Sequence, residues 1–229
     1  MIATEDGVVR ALKLLSSGKP IFIHDSSSRE DEVDMVYHAG FIDFRKIALL
    51  RRLAGGLICF SMPKNIGEAL GLRYMSDILR DVGYTELTGR TLRYGDPPNF
   101  SLWVNHRNAL TGIRDTDRAL TIRELDNIVK LVVDGRVGEA RRKFINEFVA
   151  PGHVPILLGR GLRVRKGHTE LSLALAELAG MRPSMVITEV LDEGGAMPVS
   201  KVKELASKLG TVVIEGDEII REWEKRMNS

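Results

Sequence analysis

The sequence Ile21-Phe-Ile-His-Asp-Ser-Ser-Ser-Arg-Glu-Asp-Glu-Val-Asp-Met-Val-Tyr-His-Ala39 contains two short apolar runs on either side of a polar loop. Runs of this length, rich in β-branched and aromatic residues, are typical of buried strands. The pattern therefore predicts strands over 21–24 and 33–39. Because neighbouring strands joined by a short loop can pair as a hairpin, we expect part of the sheet to be antiparallel.

Outside this hairpin, strand and helix patterns alternate along the chain. Further strands are predicted over 57–61, 101–105, 154–158, 185–191 and 212–215. Helices are predicted over 4–17, 43–54, 170–179, 200–209 and 218–227. Thr121 and Glu124 have the spacing of a capping box, which predicts a helix that begins there and runs to Val133. The stretch 80–99 shows no clear period, and we interpret it as a long excursion or lid over the substrate.

This alternation predicts an α+β fold, a three-layer α/β/α sandwich with a mixed β-sheet, in a single domain over residues 1–229. The composition is that of a soluble globular protein, with 44% hydrophobic residues and a net charge of +2. No apolar run approaches the roughly 20 residues of a membrane helix, and the acidic start lacks the features of a signal peptide. We therefore expect a cytoplasmic protein with no membrane partner.

Two further classes of site are excluded or disfavoured by residue content. Cys59 is the single cysteine of the sequence, so neither an intrachain disulfide nor a thiolate metal cluster can form within one chain. Basic residues are spread along the chain, whereas nucleic-acid surfaces show a concentrated basic stripe, so we expect no nucleic-acid partner.

The polar loop of the hairpin is the first candidate site. Arg29 and four carboxylates lie within six residues: Glu30, Asp31, Glu32 and Asp34. Carboxylates packed side by side repel each other unless a cation or substrate hydroxyls share the site. A hard divalent cation, Mg²⁺ or Mn²⁺, prefers such oxygen ligands. The alternative interpretation is a solvated acidic turn on the surface.

The segment before the helix predicted over 170–179 is the second candidate. Gly167 permits close approach of the backbone, Thr169 can cap the helix, and Arg165 and Lys166 add positive charge. A helix N-terminus flanked by cations is suited to binding phosphate. The alternative is a capped helix with a basic rim that serves solubility.

Two isolated side chains are candidates for proton transfer. His153 follows a Pro-Gly turn at the start of a strand, which can present it to a cleft as an acid–base group. Glu189 stands in an apolar strand, where a carboxylate is costly unless it is paired or used. The alternatives are a structural histidine and an edge strand that turns its carboxylate to water, and Cys59 can be just a small buried residue.

In their order and wording, these motifs resemble the 3,4-dihydroxy-2-butanone 4-phosphate synthase family in its stand-alone form. The resemblance covers nearly the whole chain, and the combination of motifs is specific although each one alone is not. It is carried by Arg29-Glu30-x-Glu32-x-Asp34, Gly55-Gly56-Leu-Ile-Cys59, Thr111-Gly112-Ile113, Asp117-Arg118-Ala119-x-Thr121-Ile122, Pro151-Gly152-His153-Val154, Gly167-His168-Thr169-Glu170 and Glu189.

The resemblance implies a lyase of riboflavin biosynthesis that converts ribulose 5-phosphate to 3,4-dihydroxy-2-butanone 4-phosphate and formate. It implies Mg²⁺ (or Mn²⁺) as cofactor, with Glu30 and His168 as ligands, and a homodimer with the site near its interface. The implied catalytic residues are His153, Glu189, Asp34 and Cys59. The implied substrate-binding residues are Arg29, Glu30, Asp34, Arg165, Lys166, Gly167, His168, Thr169 and Glu189.

The residues leave the order of proton transfers open. Asp34 or Glu189 can be the first base, with His153 shuttling protons. Two other functions also stay open from the sequence. One is a different metal-dependent sugar-phosphate enzyme, such as an isomerase or aldolase. The other is a non-catalytic anion- or RNA-binding module that uses the basic stretch 160–166.

Overall fold

The predicted hairpin pairs within a seven-stranded mixed sheet. A computed structural model of the chain describes residues 7–90 and 95–227. The strands of the sheet are β1 (Ile21–His24), β2 (Val33–His38), β3 (Cys59–Pro63), β4 (Phe100–His106), β5 (Phe148–Gly159), β6 (Met185–Glu189) and β9 (Val213–Glu215). Their spatial order is β4-β5-β3-β6-β2-β1-β9. A separate two-stranded ribbon consists of β7 (Leu191–Asp192) and β8 (Gly195–Ala196).

The register confirms both the hairpin and the mixed sheet. Ile21 pairs with Val36, and His24 pairs with Val33, in antiparallel fashion. Strand β1 is parallel to β9, and β3 is parallel to β5, whereas β6 is antiparallel to both of its neighbours. Buried strands of the sheet are apolar on both faces, which is why the sequence shows continuous hydrophobic runs there rather than alternation.

Helices cover both faces of the sheet, as expected for three layers. They are α1 (Gly7–Ser16), α2 (Phe44–Leu53), α3 (Lys64–Ala69), α4 (Met75–Asp81), α5 (Thr85–Thr88), α6 (Asp115–Val133), α7 (Val137–Glu147), α8 (His168–Leu178), α9 (Val199–Lys208) and α10 (Gly216–Met227). One hydrophobic core joins α2, α6, α7 and α9 to one face of the sheet. A second core joins α1, α8 and α10 to the opposite face. Within residues 7–90 and 95–227, no helix is long and apolar enough to cross a membrane.

The predicted capping box at Thr121 is wrong. Helix α6 begins at Asp115, and Thr121 is fully buried inside it. The Thr121 hydroxyl donates to the carbonyl of Asp117 at 2.9 Å and accepts the main-chain N–H of His106 at 2.9 Å. A threonine inside a helix can bond back to the preceding turn, so the same four-residue spacing arises without a helix start.

The prediction that Thr169 caps α8 is also wrong, because the helix begins at His168. Gly167, in extended conformation, precedes the helix and provides no side-chain cap, and Thr169 is already in the first turn. Three other predictions change in extent. Residues 4–6 of the first predicted helix and 91–94 of the predicted excursion lie outside the described residues. The rest of that excursion contains the end of α4 and all of α5. Helices α3, α4, α5 and α7 were not predicted.

Candidate active site

The central strands bring two acidic side chains to the same edge of the sheet. In the antiparallel register of β2 and β6, Asp34 pairs directly with Glu189. Cys59 begins the adjacent strand β3, opposite Ile187 of β6. These residues line a cleft of about 280 Å³ whose other walls come from the hairpin loop, β5 and the start of α8. The pairing of β2 with β6 thus places the charged loop next to Glu189, which is distant in sequence.

Asp25 organises the loop that carries the metal-ligand candidates. Its carboxylate is buried and accepts the main-chain N–H groups of Glu30 at 3.1 Å and Glu32 at 3.2 Å. It also accepts a hydrogen bond from Arg29 at 2.9 Å. Because both oxygens of Asp25 are occupied in this way, its position in the acidic cluster is that of a structural anchor.

Glu30, Asp34 and His168 form a mixed oxygen and nitrogen donor set. His168 Nδ1 lies 3.3 Å from Glu30 Oε2 and 3.8 Å from Asp34 Oδ1. The other ring nitrogen, Nε2, lies 3.2 Å from the carbonyl of Glu32 and must donate to it, since a carbonyl only accepts. A hydrogen bond from one ring nitrogen to a carbonyl fixes the ring so that the opposite nitrogen can face a metal ion.

An oxygen of Asp34 has no hydrogen-bond partner among the described residues, although it is buried. An orphaned carboxylate oxygen is costly to bury, and a cation removes that cost. The residues present therefore fit a hard divalent ion held by Glu30 and His168, with Asp34 close by.

Burial and the neighbouring charges shift the pKa values of Asp34 and His168. Burial raises the pKa of Asp34 to about 7, and the negative charges of Glu189, Glu30 and Glu32 add to this against the opposing effect of His168. Burial lowers the pKa of His168, but Asp34 and Glu30 outweigh it and raise the value to about 9. Excess negative charge thus attracts a proton to the same ring nitrogen that a metal ion would bind.

Two arginines converge on the N-terminus of α8. Arg165 donates to the fully buried carboxylate of Glu170 at 2.7 Å, and Asp96 lies 3.0 Å from Arg29 Nε and 3.7 Å from Arg165 Nε. A side chain on Gly167 would meet both guanidinium groups, at 2.2 Å for Arg165 and 2.7 Å for Arg29. Glycine at 167 therefore leaves room for the two guanidinium groups at the start of the helix. Cations and free N–H groups at one point are suited to a phosphate.

Glu189 is fixed from the neighbouring turn. Its Oε2 accepts the main-chain N–H of Leu57 at 2.8 Å, and its carbonyl accepts the N–H of Gly56 at 3.0 Å. A β-carbon on Gly56 would lie 2.3 Å from Glu189 Oε2 and 2.8 Å from its backbone oxygen. The glycine pair before β3 thus holds the carboxylate at the rim of the cleft, on a central strand and not at an open sheet edge.

Comparison with known proteins gives a consistent result over nearly the full chain. Residues 9–222 match the family model for 3,4-dihydroxy-2-butanone 4-phosphate synthase. A 3,4-dihydroxy-2-butanone 4-phosphate synthase of Methanosarcina mazei is 39% identical over 231 residues, covering 96% of this chain and 92% of its own. The corresponding protein of Archaeoglobus fulgidus is 37% identical and covers 94% and 93%.

The chain belongs to the 3,4-dihydroxy-2-butanone 4-phosphate synthase family.

Solved structures of the family share the fold. A crystal structure of a 3,4-dihydroxy-2-butanone 4-phosphate synthase in complex with two magnesium ions superposes with a TM-score of 0.74 at 26% identity, covering 96% of this chain and 97% of that one. A cation-free form gives the same TM-score and identity and covers 97% and 99%. The α+β fold with its mixed sheet is thus confirmed from the structure and from family members.

In this member of the family, most of the predicted site residues lie together. The cleft is lined by Glu30, Asp34, Cys59, Arg165, His168, Thr169 and Glu189, together with Glu32. Burial, with Glu189 and Asp34 adding to it, raises the pKa of Cys59 well above its usual value, so the side chain is a neutral thiol. Cys59 is therefore placed to shape the cleft rather than to attack as a thiolate.

Two predicted residues lie apart from the cleft in this synthase-family chain. Lys166 is exposed and is not among the residues that line it. His153 is exposed on β5, and its recorded contacts are with Asn105 on β4. A single chain therefore assembles the acidic and cationic parts of the site, but it does not bring His153 to the cleft.

Several residues of the site were missed by sequence reasoning. Asp25, Asp96 and Glu170 each organise an arginine or the acidic loop, as described above. Asn99 donates to Glu170 at 2.8 Å and accepts from Arg160 at 3.1 Å, which anchors the segment after residue 95 to the helix start. Only Asp25 had a local signal, since an aspartate at a strand end often bonds to the turn that follows.

Proposed function

We propose that this protein converts D-ribulose 5-phosphate to L-3,4-dihydroxy-2-butanone 4-phosphate and formate, as a Mg²⁺-dependent (or Mn²⁺-dependent) carbon–carbon lyase of riboflavin biosynthesis in the cytoplasm. The observation that carries this proposal is the convergence of Glu30, Asp34 and His168 beside a pair of arginines at a helix start. One end of the cleft is suited to a cation and the other to a phosphate.

The charged groups divide into two tasks. Arg29 and Arg165, with the first turn of α8, would hold the phosphate while the carbon skeleton rearranges. Glu30 and His168 would hold the metal ion, which supplies stabilisation of the oxyanion that develops when the ketose becomes an enediol. The sugar carries all atoms of both products, so the reaction consumes no co-reactant.

The acidic pair at the strand ends is placed for proton transfer. Enediol formation needs a base next to the carbonyl, and loss of a hydroxyl as water needs an acid. Asp34 has a pKa of about 7 and therefore exchanges a proton near neutral pH. Glu189 pairs with Asp34 across the two strands, so the two carboxylates face the same substrate carbons.

A homodimer would complete the site with His153. The histidine is exposed, and exposed apolar side chains flank both it and the cleft. Leu110, Ile113 and Val149 are 74%, 52% and 53% exposed on the segments around His153, and Leu57 and Leu191 are 43% and 41% exposed beside Glu189. An apolar surface at a site that lacks one predicted residue supports an interface between copies of the chain.

The reaction is tested by incubating purified protein with ribulose 5-phosphate and Mg²⁺ and quantifying formate. We expect formate from the wild-type protein, and none after EDTA treatment or in His168→Ala. Glu204→Gln, an exposed substitution on α9, serves as the control and should keep full activity. A folded, Mg²⁺-loaded protein that releases no formate would contradict the proposal, and isomerase and RNA-binding assays would then follow.

The dimer is tested by mixing two inactive variants, Glu30→Gln and His153→Ala. If His153 acts on the cleft of the partner subunit, one of the two sites in each mixed dimer is intact, and roughly a quarter of wild-type activity returns on random exchange. If no activity returns although mixed dimers form, His153 does not act across the interface.

A further inference from the structure

Asn105 contacts His153 at two points. The side-chain oxygen of Asn105 accepts the main-chain N–H of His153 at 2.8 Å. Its amide nitrogen lies 3.1 Å from Nδ1 of the imidazole ring. Because a main-chain N–H can only donate, the oxygen of the amide must face it, and the NH₂ group must face the ring.

The loop on the other side closes this contact. Gly112 has a φ of +89°, and a β-carbon there would lie 2.1 Å from the amide nitrogen of Asn105 and 2.5 Å from Nδ1 of His153. Asp117 holds this loop by accepting the N–H groups of Thr111 and Gly112, each at 3.0 Å. The contact between Asn105 and His153 therefore packs against a loop that is itself held in place.

We propose that Asn105 is a positioning residue that holds His153 in the tautomer with its proton on Nε2. This rests on the proposed proton-transfer role of His153. A neutral ring must accept at Nδ1 to satisfy the amide NH₂ group, so the proton resides on the outward nitrogen. When the ring is protonated, Nδ1 carries the second proton and can donate a hydrogen bond to the Asn105 oxygen, which lies 3.3 Å away. One amide thus partners both charge states.

The charged groups on the packed loop do not compete with this control. Arg114 and Asp117 pair with each other, with Arg114 Nη2 2.9 Å from Asp117 Oδ1. Arg107, just after the end of β4, donates to the carbonyl of Asn146 at 3.3 Å. The neutral amide of Asn105 is therefore the group that selects the protonated nitrogen of His153.

The test is the ¹⁵N chemical shifts of the His153 ring, assigned with His153→Ala, together with kinetics. We expect the Nε2–H pattern in the wild-type protein. Asn105→Asp keeps the acceptor for the main-chain N–H but replaces the NH₂ donor by a carboxylate oxygen. It should shift the ring to Nδ1–H. Asn65→Asp, an exposed substitution on α3, adds the same charge and should leave the His153 tautomer unchanged.

In kinetics, Asn105→Ala should lower kcat by about 10- to 100-fold with little change in KM, since substrate still binds while the His153 ring is misplaced. Asn105→Asp should move the pH profile of kcat toward higher pH. An Nδ1–H tautomer in the wild-type protein, or ring shifts that are the same in Asn105→Asp and Asn65→Asp, would overturn the proposal. The NMR result is independent of turnover, so it distinguishes this failure from failure of the proposed reaction.

Discussion

Within the described ranges, the protein has two groups of carboxylates and a histidine that are close enough to share a metal ion, and they differ in how their charge is balanced. The cluster at the cleft comprises Asp25, Glu30 and His168. The other, on α6, α7 and β4, comprises His106, Glu124 and Glu147. Lys143 reaches both carboxylates of this second cluster, at 3.1 Å and 3.6 Å.

Each cluster contains a cation of its own, Lys143 in the second and Arg29 in the first, where Arg29 lies 2.9 Å from Asp25 and 3.0 Å from Glu30. The first cluster differs because it also leaves an oxygen of buried Asp34 without a hydrogen-bond partner. A similar composition therefore gives a balanced network in one place and a site with a negative charge left to balance in the other. The comparison shows that charge imbalance under burial, more than the presence of acidic residues, indicates a metal site.

The largest expected effect is the difference in formate production between variants of the two clusters. Glu30→Gln should lower formate production by about three orders of magnitude, because the metal ion supplies several kcal/mol of stabilisation to the transition state. Glu124→Gln removes the same charge from the balanced cluster and should leave activity within about twofold. Steady-state assays of both purified variants measure this, and equal losses in the two would abolish the distinction.

Thermal unfolding tests the same contrast without turnover. At a Mg²⁺ concentration 100-fold above its dissociation constant, binding stabilises the fold by about 2.7 kcal/mol, which corresponds to roughly 5–10 °C for a chain of this size. We expect this shift in the wild-type protein and its absence in His168→Ala. Lys143→Met tests the second cluster, because it removes the cation there. We expect this variant to show a further thermal shift with Mg²⁺, smaller than the one from the cleft.

The stability of the metal-free protein should fall as pH rises from about 7 to 9. The folded-state pKa of His168, about 9, exceeds its ordinary value of 6.5, so the stability from its protonation is lost as pH rises through about 9. The pKa of Asp34 is also raised, from 3.8 to about 7, so its contribution is already lost below this interval, between about pH 4 and 7.

Since protons and Mg²⁺ compete for this site, stabilisation by Mg²⁺ should grow over the same interval. Urea unfolding at several pH values, with EDTA or Mg²⁺, measures both trends. Unfolding free energies that are flat from pH 7 to 9 in EDTA would contradict the charge imbalance at the cleft.

The smallest effect concerns the carboxylate that partly balances the arginines. Asp96 lies beside Arg29 and Arg165, where the substrate phosphate is proposed to bind. Ion pairs that are partly exposed contribute about 0.2–1 kcal/mol, so Asp96→Asn should lower KM by about 1.5- to 5-fold. Asp217→Asn, at the start of α10, is a control with the same change in charge. A raised KM in Asp96→Asn would show that Asp96 helps to bind the substrate instead.

Much of the fold followed from local patterns. The strands 21–24 and 33–39 were predicted within one residue because apolar runs between polar segments have few other uses in a soluble chain. Element starts were less certain, as at Thr121, since the residues of a capping box also occur inside a helix. Helices α3 and α7 were missed because short or strongly charged helices depend on packing more than on their own periodicity.

For the site, the sequence by itself determined which residues are candidates for the chemistry. The acidic hairpin loop, the glycine and cations before α8, and Glu189 in an apolar strand are all visible as local conflicts with burial. The tertiary structure alone decided which of them meet. The pairing of Asp34 with Glu189, the placement of His168 over the loop, the crossing of two arginines at Gly167 and the contact of Asn105 with His153 all join segments far apart in the chain. Such contacts follow from strand register and packing, and local sequence patterns do not predict them.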